Sequence, residues 1–354
     1  MRDGLAVLDA DAHVVEPGPL FAAWTPAGRT VMDLPSTTPV ELCGDSSLLS
    51  DQLEHGFDAP SYLRAMDAQR IDAAVLFPSM GLFVPFLPEL DDGAAADACR
   101  VYNEWAAEYC ATNPGRLAAM GVVPQRAPGR AAGEVRRAAA LGLVGVLVRP
   151  NHVAAAYLDD ASFDPLYDAL EETGLVLGVH EALGVRAPTI GRDRFEGFAA
   201  RHACSHPLEQ MTAAAALLLG GVCERHPTLR VAFLESGTGW LPYWLARLDE
   251  HHEWLRDSEC AALTLRPSEY FARQCVISSD PEDALAAFTI GQVGADHVMW
   301  ASDFPHPDAA FPTALDEFLE HLDGVDVETD GRQVLWDTPA RFYRLGDRFR
   351  PTAA

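Results

Sequence analysis

"LVLGVHEA", residues 175–182, is apolar without alternation for five residues and then ends on a histidine and a glutamate. A strand with one wet face alternates polar and apolar side chains. An unbroken apolar run this short therefore reads as a strand buried on both faces, the pattern of a parallel sheet. Runs of the same kind recur: "GLAVLDAD" (4–11), "IDAAVLFPS" (71–79), "LAAMGVVPQ" (117–125), "LVGVLVRPN" (143–151), "LRVAFLESG" (229–237), "QCVISSD" (274–280) and "HVMWASDFP" (297–305). With the first, these make eight, and segments of helical periodicity separate them. Eight such units predict an α/β fold, a closed (β/α)8 TIM barrel. An open doubly wound sheet is the alternative, weakened because no run is followed by the GxGxxG of a dinucleotide-binding turn.

The punctuation agrees. Asp164 before Pro165 predicts a helix N-cap and first turn, and Gly174 stands where that helix should stop, just before the fifth run. Residues 14–60 break the repeat, being rich in Pro, Gly and Ser, and are expected to form an insertion after strand 1 that caps the barrel mouth. Residues 183–205 are expected to be a second long loop on the same side. The whole chain, 1–354, is thus expected to be one barrel domain.

With 354 residues, about half of them apolar, the chain can bury a large core. All 26 basic residues are arginine, against 52 acids, for a formal charge of −26. That balance argues against nucleic acid or an anionic membrane surface as partner. The absence of lysine excludes a lysine Schiff base, a phosphate-loop lysine and a carboxylated lysine bridging two metals. Seven scattered cysteines without C-x-x-C spacing fit a reduced protein. No apolar run is long enough to span a bilayer. A soluble, cytoplasmic protein is expected.

In such barrels the reacting groups lie at the C-terminal ends of strands. Six of the eight runs carry such groups at or just past their ends: Asp11 and His13, Arg149, His180 with Glu181, Glu235, Asp280, and Asp303 with His306. Asp11 and His13, two residues apart, share one face of an extended strand. Together with His180 and Asp303 they offer two imidazoles and two carboxylates, a mix suited to one divalent ion such as Zn²⁺ or Mn²⁺. The two carboxylates would offset the ion's charge. His306 and Arg149 are candidate substrate-binding groups. His202, His206, His226, His251, His252 and His321 lie off the strand ends and are assigned no chemistry.

"LDADAH", "GVHEA", "FLESGTGWLPYWLARLDE" and "WASDFPHPD" resemble the amidohydrolase-related family that includes aminocarboxymuconate semialdehyde decarboxylase and the γ-resorcylate and carboxyvanillate decarboxylases. The resemblance runs through nearly the whole chain in consistent order. It implies a barrel of the metal-dependent hydrolase type, one divalent metal at the mouth, commonly a homodimer, and non-oxidative decarboxylation or hydrolysis. The family's first-strand ligand pair falls on Asp11 and His13, its fifth-strand histidine on His180 and its eighth-strand aspartate on Asp303. Two departures stand out. The first ligand is an aspartate, and Glu235 occupies the place of the sixth-strand histidine of the best-known decarboxylase. Arg247 matches a family arginine that holds a substrate carboxylate, in some members across the dimer interface; a surface ion pair with Asp249 or Glu250 is its alternative.

The resulting expectation is a decarboxylase acting on a small, aromatic or unsaturated carboxylic acid, with Asp303 or Glu235 handling the proton. The same ligands would also serve hydrolysis of an amide or lactone, and a non-catalytic ligand-binding barrel is a third reading. Glu235, standing in place of the histidine, keeps that third reading open.

Overall fold

The computed structural model describes residues 4–25, 46–153, 156–183, 186–306, 309–346 and 348–349. Strands β1 (Leu8–Val14), β2 (Ala73–Pro78), β3 (Leu117–Val122), β4 (Gly145–Val148), β5 (Val176–His180), β6 (Val231–Leu234), β7 (Cys275–Ser279) and β8 (Val298–Trp300) follow in sequence order around an eight-stranded sheet. Each pairs in parallel with the next. All eight expected runs contain a strand. Every residue of these strands is buried, which accounts for apolar runs without alternation. β1 starts later than its run and continues through Asp11 and His13 to Val14, so the polar residues lie inside the strand rather than past it.

The cylinder is completed by the chain just beyond β8. The Asp303 amide donates to Asp11 O at 3.2 Å, and the His13 amide donates to Phe304 O at 2.7 Å. The Asp9 carboxylate accepts from the Ser302 amide at 3.0 Å and from that of Asp11 at 3.4 Å. The seam of the barrel is therefore also where β1 meets the residues after β8.

Helices α1 (Ala59–Gln69), α2 (Asp92–Ala111), α3 (Pro128–Ala140), α4 (Asp164–Thr173), α5 (Phe198–Ala214), α6 (Leu241–Trp254), α7 (Ala286–Val293) and α8 (Ala314–Glu320) each follow the strand of the same number. Asp58 and Asp91 cap α1 and α2 by accepting the Ser61 and Ala94 amides. Gly174 ends α4 at φ 70°, as its position in the sequence predicts. The cap expected at Asp164 is displaced: Asp160 accepts the Ser162 amide and opens a 3₁₀ turn that runs straight into α4, so Asp164 is already helical.

A second correction concerns 183–205. The loop ends at Gly197, and α5 begins at Phe198. Pro207 argues locally against a helix there, but it lies inside α5 all the same. Tertiary contacts outweigh it: Ser205, His206, Glu209 and Gln210 are buried, and the Gln210 amide donates to Val179 O and Leu234 O at the ends of β5 and β6.

Of the expected capping insertion, 26–45 lie outside the described residues. Its first residues are tied to the mouth by Glu16, whose carboxylate accepts the amides of Ser79, Met80 and Gly81. Among the described residues no helix is long and apolar enough to cross a membrane.

Candidate metal centre

The β1–β2 register shifts between Asp9 and Ala12, a bulge that re-aims the end of the strand. Asp11, His13 and His180 are brought together there. His180 Nε2 lies 3.6 Å from Asp11 Oδ1, and His13 Nε2 lies 3.7 Å from the same oxygen and 3.3 Å from Asp303 Oδ1. Backbone carbonyls fix both imidazoles: His13 Nδ1 faces Pro78 O at 2.9 Å and His180 Nδ1 faces Glu181 O at 2.5 Å. A carbonyl demands the proton on Nδ1, so each Nε2 turns its lone pair inward.

Asp11 Oδ1, His13 Nε2 and His180 Nε2 are buried with no hydrogen-bond partner. Such atoms are costly unless something else satisfies them. Donors about 2.0–2.1 Å from a tetrahedral ion lie about 3.3–3.4 Å apart, close to the spacings found here. The donor set therefore fits a divalent cation. Burial and the nearby His306 and His180 push His13 well below the usual histidine range, as a neutral ligand requires.

Glu235 stands just past β6, with Oε2 3.4 Å from His180 Nε2 and Oε1 3.3 Å from His206 Nε2. Burial raises its pKa, but His206, His180 and His306 outweigh burial and hold it well below the usual carboxylate range. Glu235 and Asp303 both have left-handed backbones, φ 48° and 54°. This is uncommon outside glycine, and such residues gather at functional sites.

A family model described as "Amidohydrolase" matches residues 8–345. The chain belongs to this amidohydrolase family. Among relatives, 2-amino-3-carboxymuconate-6-semialdehyde decarboxylase of Dictyostelium discoideum is 28% identical over 215 residues, 60% of this chain and 58% of that protein. The match thus spans less than two thirds of the Dictyostelium protein. Gamma-resorcylate decarboxylase of Rhodococcus jostii is 26% identical over 257 residues, 69% of this chain and 76% of that one. Among solved structures, 5-carboxyvanillate decarboxylase of Novosphingobium aromaticivorans, complexed with manganese and 4-hydroxy-3-methoxy-5-nitrobenzoic acid, shares the barrel with a TM-score of 0.75. It is 21% identical, with 97% of each chain covered.

Other residues of this amidohydrolase fall in two groups. His306 joins the mouth: Nδ1 is 2.8 Å from Asp303 Oδ1, Nε2 is 3.2 Å from Ser79 Oγ, and its ring centroid is 4.0 Å from that of His13. The two arginines do not. Arg149 is fully buried and spent on the protein itself, bonding Asn151, Leu82 O, Glu181 and Ala182 O. Arg247 sits on the outer face of α6, about half exposed, paired with Glu250 at 3.1 Å. That pair is the surface alternative foreseen from the sequence.

Beside the donors lies a cavity of about 220 Å³, walled by His202, His206, Glu235, Asp280 and Asp303 among others. His202 and His206, off the strand ends and without an expected role, both reach this cavity. Their signal was present: two histidines four residues apart share a helix face. It is hidden because His202 falls in the segment expected to be a loop, which takes the pair off a common helix face.

Proposed function

We propose that this amidohydrolase is a metal-dependent, non-oxidative decarboxylase of a small aromatic or unsaturated carboxylic acid. The observation that carries the reading is Glu235, held anionic between His180 and His206 at the wall of a cavity that also meets Asp303, one of the proposed metal donors. The named relatives support it. Asp11, His13, His180 and Asp303 would hold one Zn²⁺ or Mn²⁺, since nitrogen and oxygen donors suit both. When bound, the ion supplies positive charge that holds substrate oxygens and stabilises negative charge in the transition state.

Loss of CO₂ breaks a carbon–carbon bond and leaves its electron pair on the ring or alkene carbon, which must then take a proton. Glu235 and Asp303 are the proposed proton carriers. Glu235 passes to the carbon the proton that it shares with His206 Nε2. Asp303, paired with His306, lines the same cavity, and His306 helps bind the substrate.

The chain is proposed to work as one barrel domain, with 14–60 as its cap, in a homodimer in the cytoplasm. Six described cysteines are free, which fits a reducing compartment. Tyr243, Arg247, Glu250 and Trp254 form one stripe of α6, and Tyr243 and Trp254 are 64% and 75% exposed. An aromatic stripe of this kind fits a subunit interface, where Arg247 can serve a neighbouring site.

The test is incubation of enzyme loaded with Zn²⁺ or Mn²⁺ with hydroxybenzoates, unsaturated carboxylates, lactones and amides. Release of CO₂, with deuterium from D₂O at the vacated carbon, is expected. Lactone or amide hydrolysis without CO₂ would overturn the reading in favour of a hydrolase, and no turnover of any class would favour a binding barrel.

A further inference from the structure

Away from the mouth, α4 carries Asp164, Asp168 and Glu171 at positions i, i+4 and i+7 of one face. His226, on the segment that leads into β6, inserts among them with its side chain only 5% exposed. Its Nε2 is hydrogen-bonded to Asp164 Oδ1 at 3.2 Å. Its Nδ1 lies 3.4 Å from Asp168 Oδ1 and 3.4 Å from Glu171 Oε2, and it is buried without a hydrogen-bond partner.

If Nε2 donates its proton to Asp164, the Nδ1 lone pair faces two carboxylate oxygens. That arrangement repels unless a cation sits between them. The donor spacing is again close to the roughly 3.3–3.4 Å of a tetrahedral site, and it resembles the spacing at the mouth. The surroundings also match those of a ligand set. Asp164 fixes the imidazole through its second nitrogen, as a carboxylate behind a metal-bound histidine does. Glu171 Oε1 accepts both the amide and the hydroxyl of Thr228 at 2.7 Å, which leaves Oε2 turned toward His226.

We propose a second divalent-cation site, held by His226 Nδ1, Asp168 and Glu171. Its nitrogen donor favours Zn²⁺ among common biological cations. Asp168 is 68% exposed, so a fourth position is open to water. Glu171 and His226 immediately precede the segments that enter β5 and β6, at the end of the barrel opposite the mouth. The ion clamps α4 to the segment entering β6 and is structural. Without it, two carboxylate oxygens face Nδ1 with no ion between them.

Zinc stoichiometry separates the two arrangements. Chain stripped with a chelator and dialysed against Zn²⁺ should hold two equivalents. Asp168→Asn alters an exposed side chain and leaves the fold intact; it should weaken one equivalent at least tenfold, and His226→Gln should abolish it. His180→Ala, which disables the mouth, should still bind one equivalent and show a Zn²⁺-dependent rise in Tm that is lost when Asp168→Asn is added. A single equivalent in the unaltered chain, or two undiminished equivalents in Asp168→Asn, would overturn the proposal.

Discussion

Glu235 is the residue on which the chemistry turns. It holds a left-handed backbone that costs a residue with a side chain about 1–3 kcal/mol, and it does so where its carboxylate bridges His180 and His206. Glu235→Gln keeps the shape and removes the anion. The variant should retain its metal, because the four proposed ligands are untouched, and lose about 10²–10⁴-fold in kcat, the range of a proton-transfer group. Metal analysis alongside turnover checks it; full turnover would reduce Glu235 to a spacer. His206→Asn should lower kcat while leaving metal content unchanged, and should move the pH profile of whatever activity remains. A His206 that only packed against its neighbours would leave that profile alone.

At the scale of elements, the barrel interior is fitted by pairing small residues with large ones. A Cβ at Gly145 would lie 2.5 Å from Val176 Cγ2 and 2.6 Å from Met120 Sδ. Met120 can turn aside, but the branched Val176 cannot. Gly145→Ala should therefore destabilise the fold by about 1–3 kcal/mol, the usual cost of overpacking a core. A denaturant midpoint would show it, and an unchanged midpoint would mean that β4 and β5 slide apart freely. α5 is an instance of the same rule from outside: its contacts with the ends of β5 and β6 keep a helix where Pro207 speaks against one. That helix is what carries His206 to Glu235.

For the whole molecule, buried acids set the response to pH. Burial pushes Glu16 up to about 7, despite the three amides that favour its anion. The unfolded chain releases this proton near the ordinary 4.5, so between these values the folded state binds more protons than the unfolded one. Stability then falls as pH rises from about 4.5 to about 7, by about 3 kcal/mol for this group, and levels off above. Glu16→Gln should flatten that slope in denaturant melts between pH 5 and 8. Some slope should remain, because burial and Glu181 push Glu209 up to about 7 with the same sign. An undiminished slope would mean that Glu16 is already ionised in the folded chain.

The sequence by itself determined the barrel and the polar strand ends. Apolar runs without alternation have one physical use, burial on both faces, and eight of them in order leave little choice of topology. Asp11, His13, His180 and Asp303 were legible because strand ends map to the mouth. What the tertiary structure decided was proximity. Arg149 ends β4 much as His180 ends β5, yet the fold spends it on Glu181 and backbone carbonyls. His226 carries no local mark that separates it from His251 on α6, and the spacing of His202 and His206 marks a shared helix face without saying what that face meets. Only the packing of α5 beside β6, and of α4 against the segment entering it, aims their nitrogens at carboxylates far away in sequence. Burial can be read from a residue's own neighbours along the chain, whereas contact depends on where distant segments arrive.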